Sequence, residues 1–241
     1  KWYLIKMSGK INRIGIVGMG PVGSILAGHL KEAGMDVALC DLDKLKMNLV
    51  KTEGIILEGV ISKKTYFKNV FTTLAELETF RPDLIFVCVK TTQLPALVRE
   101  ISAMQLEKAG IVCAMNGIDV EKMISGVMGE SRTYRMVINF AGNLNAPNVT
   151  RVTFFNPPNY IASMDDNGLE VANEIAEALS GVGIATKALA SFEILRQIWE
   201  KTILNSSLSA LCAVGRMTIK EAMSNADTVE LIEQIIEEAV E

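Results

Sequence analysis

The sequence predicts an α/β chain in which a doubly wound, largely parallel sheet is followed by an all-helical segment. Three observations carry this expectation. Short β-branched runs alternate with amphipathic helical stretches from Arg13 to about Ile184. A glycine-rich turn joins the first run to the first helical stretch. From Ser191 onward the pattern becomes nearly continuous helix. We place a boundary near residue 190, giving a sheet domain over 11–190 and the start of a helical domain over 191–241.

Taken in order, "RIGIVG", "DVALCD", "DLIFVCVK", "GIVCAMNG" and "YRMVINFAG" read as strands, mostly with apolar residues on both faces, as a parallel sheet covered by helices requires. "PVGSILAGHLKEAG", "LPALVREISAM" and "DVEKMISGVMG" read as the intervening helices. "GIILEGVISKKTYFKNVFTT", with its glycines and β-branched residues, fits a strand or hairpin excursion. Residues 145–163 hold three prolines and several asparagines, and read as irregular, β-like chain in which the sheet continues antiparallel. Ser191 is the expected N-cap of a helix through "FEILRQIWEKTILNSSLSALCAV". The last stretch, "TVELIEQIIEEAVE", reads as a helix with Val229, Ile232, Ile236 and Val240 largely on one face. It has no C-cap glycine and an acidic end that opposes the dipole preference for cations. We therefore expect a truncated helical domain, whose apolar face needs further helices or a second copy of the chain to cover it.

A chain of 241 residues that is 49% hydrophobic can bury a sizeable core. Its formal net charge of -4, without a basic patch, argues against nucleic acid or an anionic membrane as partner. The longest apolar runs are too short to cross a bilayer, and "KWYLIKMSGK" lacks the apolar region and cleavage site of a secretion signal, so a cytoplasmic location is expected. Cys40, Cys88, Cys113 and Cys212 are scattered, three of them within apolar runs, which favours reduced, buried thiols over a disulfide or a metal site. No metal is expected, since the single histidine, His29, leaves no clustered ligand set.

"GMGPVG" places Gly18, Gly20 and Gly23 at the G-x-G-x-x-G spacing, with Met19, Pro21 and Val22 completing the loop, directly after a strand and opening a helix. Gly18 permits the tight turn, Gly20 lets backbone approach a pyrophosphate, and Gly23 lets helix and strand pack closely, while the helix N-terminus faces the phosphates. That is the fingerprint of a Rossmann-like dinucleotide-binding fold. Asp41, at the end of the second strand, stands where a carboxylate accepts bonds from the adenosine ribose and repels a 2′-phosphate. Lys44 and Lys46 keep a phosphate site open as the alternative. The expected cofactor is NADH or NADPH, with NAD favoured by Asp41.

Reducing a carbonyl with a nicotinamide needs a proton donor for its oxygen. His29, on the helix after the phosphate turn, points away from that end and is expected to be a packing or surface residue. Lysine is the next candidate, because partial burial beside another cation draws its pKa toward neutrality. Lys90 ends the strand "DLIFVCVK", and Asn116 lies in "MNG" after the next, both at the carboxyl ends where such sheets bind ligands. Singly, a charged strand end and a turn-forming Asn-Gly would explain them equally well. In "WEKTILNSSLS", Lys201, Asn205 and Ser209 recur at a spacing of four, so a helix places them on one face, as either a solvated stripe or the wall of a site.

In that order and at similar separations, "GMGPVG", "VCVKT", "MNG" and "IWEKTILN" resemble the ketopantoate reductase (2-dehydropantoate 2-reductase) family over nearly the whole chain. The resemblance implies reduction of the 2-oxo acid ketopantoate to pantoate by NAD(P)H, for pantothenate and coenzyme A synthesis, in a cleft between a Rossmann domain and a helical domain. It casts Lys201 as the general acid and Asn205 as a substrate holder, with Lys90 and Asn116 around nicotinamide and substrate. Ser209 stands where the family commonly has asparagine, Asp41-Leu42 where many members carry an arginine for the NADP phosphate, and the family's later substrate-binding serine and glutamate find no match before Glu241. Two other readings compete. Hydroxyacid dehydrogenases of the 6-phosphogluconate-dehydrogenase-like group also pair lysine with asparagine four residues on, but usually approach that lysine through glycines, which "SFEILRQIWEK" lacks. A non-catalytic dinucleotide-binding sensor is the other. The expected partner is a small-molecule 2-oxo acid, with a homo-oligomer possible.

Overall fold

The computed structural model describes residues 11–106 and 109–240; the opening decapeptide read above for a secretion signal lies outside them. Contacts divide the chain into a larger unit ending at Ile194 and a smaller one beginning at Leu195.

The larger unit runs β1 (Arg13–Val17), α1 (Pro21–Glu32), β2 (Asp36–Cys40), α2 (Lys44–Glu53), β3 (Ile55–Gly59), β4 (Lys63–Thr65), β5 (Asn69–Phe71), α3 (Leu74–Thr79), β6 (Leu84–Val87), α4 (Leu94–Ala103) and β7 (Gly110–Cys113). It continues with α5 (Val120–Met128), β8 (Thr133–Val137), β9 (Phe140–Ala146), β10 (Val149–Phe155), β11 (Asn159–Ser163), α6 (Leu169–Gly181) and β12 (Thr186–Ala188). Eight strands form the main sheet in the order β12-β11-β8-β7-β6-β1-β2-β5. Every neighbouring pair is parallel except β8 with β11. The strand order reverses at β1, between β2 and β6, so this is where a doubly wound sheet opens a ligand crevice.

Both faces of the sheet are buried, as the unbroken apolar runs require. Leu84 and Phe86 of β6 enter one hydrophobic cluster, with Ile14, Ile16, Leu26 and Leu30, while Ile85 and Val87 enter the other, with Leu77, Leu97 and Ile111. Successive side chains point to opposite faces, so such a strand can show no polar alternation. Two short helices that periodicity misses are set by their caps: the Asp43 carboxylate accepts from Lys46 N–H at 3.0 Å to start α2, and Thr73 with Glu76 forms a capping box on α3.

The segment 145–163 is more regular than its prolines and asparagines suggest. β9 and β10 form an antiparallel hairpin that leaves the main sheet and joins β3 and β4 in a second one, ordered β4-β3-β10-β9. Its seam is a parallel pairing of Val149 with Ile56. β11 alone carries the expected antiparallel continuation of the main sheet. The second sheet lies against α1, where Gly28 faces Leu57, Lys63 and Thr65 without a side chain of its own. His29 is part of this packing: it is 3% exposed, shares its Nδ1 with the Ile25 carbonyl at 2.7 Å, and stacks on Phe155. Burial lowers its pKa from the ordinary value.

α7 (Ser191–Leu204) begins in the larger unit and runs on into the smaller one, where it is followed by one π turn over Asn205–Ser209, then α8 (Ala210–Gly215), α9 (Ile219–Ala222) and α10 (Ala226–Val240). The continuous α-helix expected through residue 214 is therefore interrupted. Ser191 is the first helical residue rather than the cap, and its N–H and that of Ala190 are taken up by the carboxylates of Asp166 and Glu193, each at 3.0 Å. The four cysteines are free, and burial pushes the Cys40 and Cys113 thiols up to about 12. Among the described residues no helix is long and apolar enough to cross a membrane.

Candidate functional site

The crevice at the switch point is built from the carboxyl ends of β1, β2 and β6, and the end of β7 lies beside that of β6. β1 ends at Val17, and Gly18 turns the chain with φ +95°. A Cβ at Gly18 would lie 2.9 Å from the backbone of Cys88 and Val89, so only glycine lets the turn pass β6 this closely. A Cβ at Gly23 would run into the Gly18 carbonyl oxygen. Gly20 is different: no atom lies within 4 Å of where its Cβ would stand. Gly18 and Gly23 are thus required by the protein's own packing, while Gly20 faces open space in which backbone can approach a pyrophosphate. Pro21 begins α1 and has no N–H, so the N–H groups of Val22 and Gly23 open the helix end.

Asp41 closes the other side. Its Oδ2 accepts from Met19 N–H at 2.7 Å and from Lys46 Nζ at 3.1 Å, and its Oδ1 accepts from Asp43 N–H at 3.0 Å. A carboxylate offers about four lone-pair positions, so one remains for a sugar hydroxyl. The carboxylate also braces the glycine turn, a role its position in the sequence does not reveal. Lys46, left above as a possible phosphate ligand, is engaged as the counter-ion of Asp41. Beside Gly18 and Asp41 lies a cavity of about 350 Å³ with Leu74 and Leu97 among its apolar lining and Gln93 and Glu100 among its polar lining. An apolar slot, a free acceptor and an unfilled approach to a helix N-terminus fit the adenosine and pyrophosphate of a dinucleotide.

Lys90 and Asn116 are both exposed, on neighbouring strand ends. Thr91 ties them, its Oγ1 donating to the Asn116 carbonyl at 3.1 Å. Beneath them is a group that the motif search passes over. Arg135 of β8 and Glu121 of α5 form an ion pair at 3.7 Å with side chains 4% and 1% exposed, and Arg135 Nη2 donates to the Gly117 carbonyl at 2.8 Å. A charged residue inside the apolar strand "YRMVINF" was the available signal. Burial pulls the Arg135 guanidinium below its ordinary pKa, and the Glu121 carboxylate works against that.

Lys201, Asn205 and Ser209 belong to the smaller unit, Lys201 half-buried and the other two exposed. In an α-helix each step of four overshoots a full turn by about 40°, so three such residues drift around the helix. The π turn begins at Asn205, and its wider turn, bonded i→i+5, makes the step from Asn205 to Ser209 fall short instead. The second step thus undoes the drift of the first, and all three side chains remain on one narrow stripe.

Family models described as "Ketopantoate reductase PanE/ApbA" and "Ketopantoate reductase PanE/ApbA C terminal" match residues 14–166 and 193–241. Among curated relatives, the 2-dehydropantoate 2-reductase of Streptococcus pyogenes serotype M6 is 24% identical over 225 residues, which span 93% of this chain and 71% of that protein. That of Aquifex aeolicus is 26% identical over 226 residues, 92% of this chain and 69% of that one. Among solved structures, 2-dehydropantoate 2-reductase from Geobacter metallireducens GS-15 superposes with a TM-score of 0.82 at 20% identity, over 95% of this chain and 74% of that one. A D-mandelate dehydrogenase with NADH gives 0.78 at 21% identity, over 94% and 71%.

Proposed function

The chain belongs to the ketopantoate reductase family, NAD(P)H-dependent oxidoreductases of CH–OH groups, and we propose that it reduces ketopantoate to pantoate in pantothenate and coenzyme A synthesis. When bound, a reduced nicotinamide supplies the hydride for the carbonyl carbon. The chain supplies the rest. The Gly18–Gly23 turn and the α1 N-terminus hold the pyrophosphate, and Asp41 takes a ribose hydroxyl. Lys201 gives a proton to the carbonyl oxygen as that oxygen becomes a hydroxyl, so hydride and proton together complete the alcohol. Asn205 and Ser209 hold the substrate's polar groups, and Lys90 and Asn116 line the nicotinamide end.

The observation that carries this reading is the single stripe of Lys201, Asn205 and Ser209 across the π turn. An α-helix serving only as a solvated face has no use for a π turn, which is rare and is found frequently at functional positions. Ser209 reaches less far than an asparagine would, so the third contact is to a substrate group lying closer in or to a differently aimed oxygen.

Oxidation of NADH and NADPH against a panel of 2-oxo acids tests the assignment. Ketopantoate should be turned over with the highest kcat/KM; preference for an aryl or simple alkyl 2-oxo acid would overturn the substrate, and no turnover of any 2-oxo acid would overturn the activity. In a chain that turns over, Lys201→Ala should lower kcat by about 10²–10⁴-fold, the usual contribution of a general acid, with dinucleotide affinity nearly unchanged. Near-normal kcat in that variant would remove Lys201 from the role.

A further inference from the structure

The buried Arg135–Glu121 pair needs an explanation that stability does not provide. Two charges taken out of water lose their hydration, and an apolar pair of the same volume in the same place generally folds at least as well. The pair is also poorly satisfied: at 3.7 Å its contact is too long for a hydrogen bond, and Arg135 Nε, Arg135 Nη1 and Glu121 Oε2 are buried with no hydrogen-bond partner. The one well-formed bond that the guanidinium makes is directed outward, from Nη2 to the carbonyl of Gly117 at 2.8 Å. Gly117 sits in the β7–α5 loop with φ +119°, and two residues on Asp119 is also left-handed, at φ +60°. Glycine adopts such a φ freely, but Asp119 is held there by its surroundings. The loop is further restrained by the Thr91 hydroxyl on the Asn116 carbonyl and by Lys122, which bonds the Asp119 carbonyl at 3.1 Å and pairs with its carboxylate at 2.9 Å.

We infer that Arg135 and Glu121 are positioning residues for Asn116. Glu121 faces the guanidinium, Nη2 fixes the Gly117 carbonyl and Thr91 fixes the Asn116 carbonyl, so the two successive peptides that meet at Gly117 are each tied, one to β8 and one to Thr91. The exposed Asn116 side chain is thereby presented at one angle at the mouth of the crevice. A lysine in place of Arg135 would keep a charge facing Glu121 but lose the Nη2 that reaches the Gly117 carbonyl from the same planar group. The assignment rests on the reading above that Asn116 acts at the nicotinamide and substrate.

Removing one partner leaves the other charged and buried, so the pair is best exchanged whole, as the double variant Arg135→Met with Glu121→Leu. The urea midpoint of the full chain should stay equal or rise. Amide hydrogen exchange at Lys122, whose N–H closes the loop on the Asp119 carbonyl at 3.1 Å, should accelerate by at least about tenfold, with the strands beneath unchanged, because the loop now opens locally without unfolding the sheet. The kcat/KM for ketopantoate should fall by about tenfold in the double variant and in Asn116→Ala, and by no more than that when all three substitutions are combined, since losses through one residue do not add. Arg135→Lys, which keeps a cation facing Glu121, should hold the urea midpoint near the parent's while kcat/KM falls as in the double variant. Unchanged exchange in the loop would overturn the inference, as would a loss of kcat/KM that adds fully to that of Asn116→Ala. The exchange measurement needs no substrate, so a chain that failed to reduce any 2-oxo acid but showed the accelerated loop would refute the proposed reaction and leave the clamp standing.

Discussion

Asp41 has two tasks, and both bear on which dinucleotide should bind more tightly. Its carboxylate braces the Met19 N–H and meets Lys46 while one acceptor position stays open to the ribose. With the lysine held there, the net charge beside the ribose is nearer zero than the sequence motif suggests. NADH should still bind more tightly than NADPH, because Lys46 is already engaged and the carboxylate lies nearer the turn. Asp41→Ala removes the repulsion and frees Lys46, and should shift the ratio of the two dissociation constants toward NADPH by about tenfold or more, the scale of one close like-charge contact. Fluorescence titration of both dinucleotides measures it; an unchanged ratio would show that Asp41 serves the turn alone. At this scale Gly18, Asp41, Lys90 and Asn116 were legible as candidates because each follows the end of a strand. The roles of Lys46, Thr91 and Arg135 were not, since they depend on which atoms the folded loops bring within hydrogen-bond distance.

The same three glycines look alike in sequence and differ as parts of an element. Gly23→Ala drives a methyl group into the Gly18 carbonyl, which cannot move without undoing the β1–α1 turn. It should lower stability by about 1–3 kcal/mol, as overpacking does, and abolish dinucleotide binding with it. Gly20→Ala meets nothing within 4 Å and has an ordinary backbone, φ -79° and ψ -172°. Its urea midpoint should be unchanged while NADH binding weakens by at least about tenfold, a methyl now standing where the phosphates approach. Parental affinity in Gly20→Ala would mean that this turn is not the phosphate cradle. Elements whose signal is local were readable: the parallel strands from their apolar runs, α1 from its turn, β3 and β4 from their glycines. The second sheet was not, because its seam joins Ile56 to Val149, far apart in the chain, and nothing in either strand names the other. The π turn was hidden for a related reason, since a spacing of four reads the same whether the helix keeps its period or loses it once.

Across the molecule, apolar surface is unevenly covered. The larger unit buries both faces of its main sheet. In the smaller unit Trp199 is 49% exposed, Leu204 52%, Val214 86%, Ile219 56% and Met223 52%, and of the apolar stripe expected along the last helix only Ile232 is buried. Side chains this large, gathered on so few helices, exceed the scattered exposure that a monomer's surface normally carries. The 241-residue chain should therefore associate with itself. Light scattering over a concentration series should give masses rising above the 26.3 kDa of one chain. Val214→Lys with Ile219→Lys should lower that association, because a charge at the contact opposes burial. NADH affinity should not change with it, since the glycine turn and Asp41 lie wholly within the larger unit. A constant single-chain mass at every concentration would show that these side chains do not drive association. Loss of NADH binding in the charged variant would show instead that the smaller unit contributes to the cofactor site.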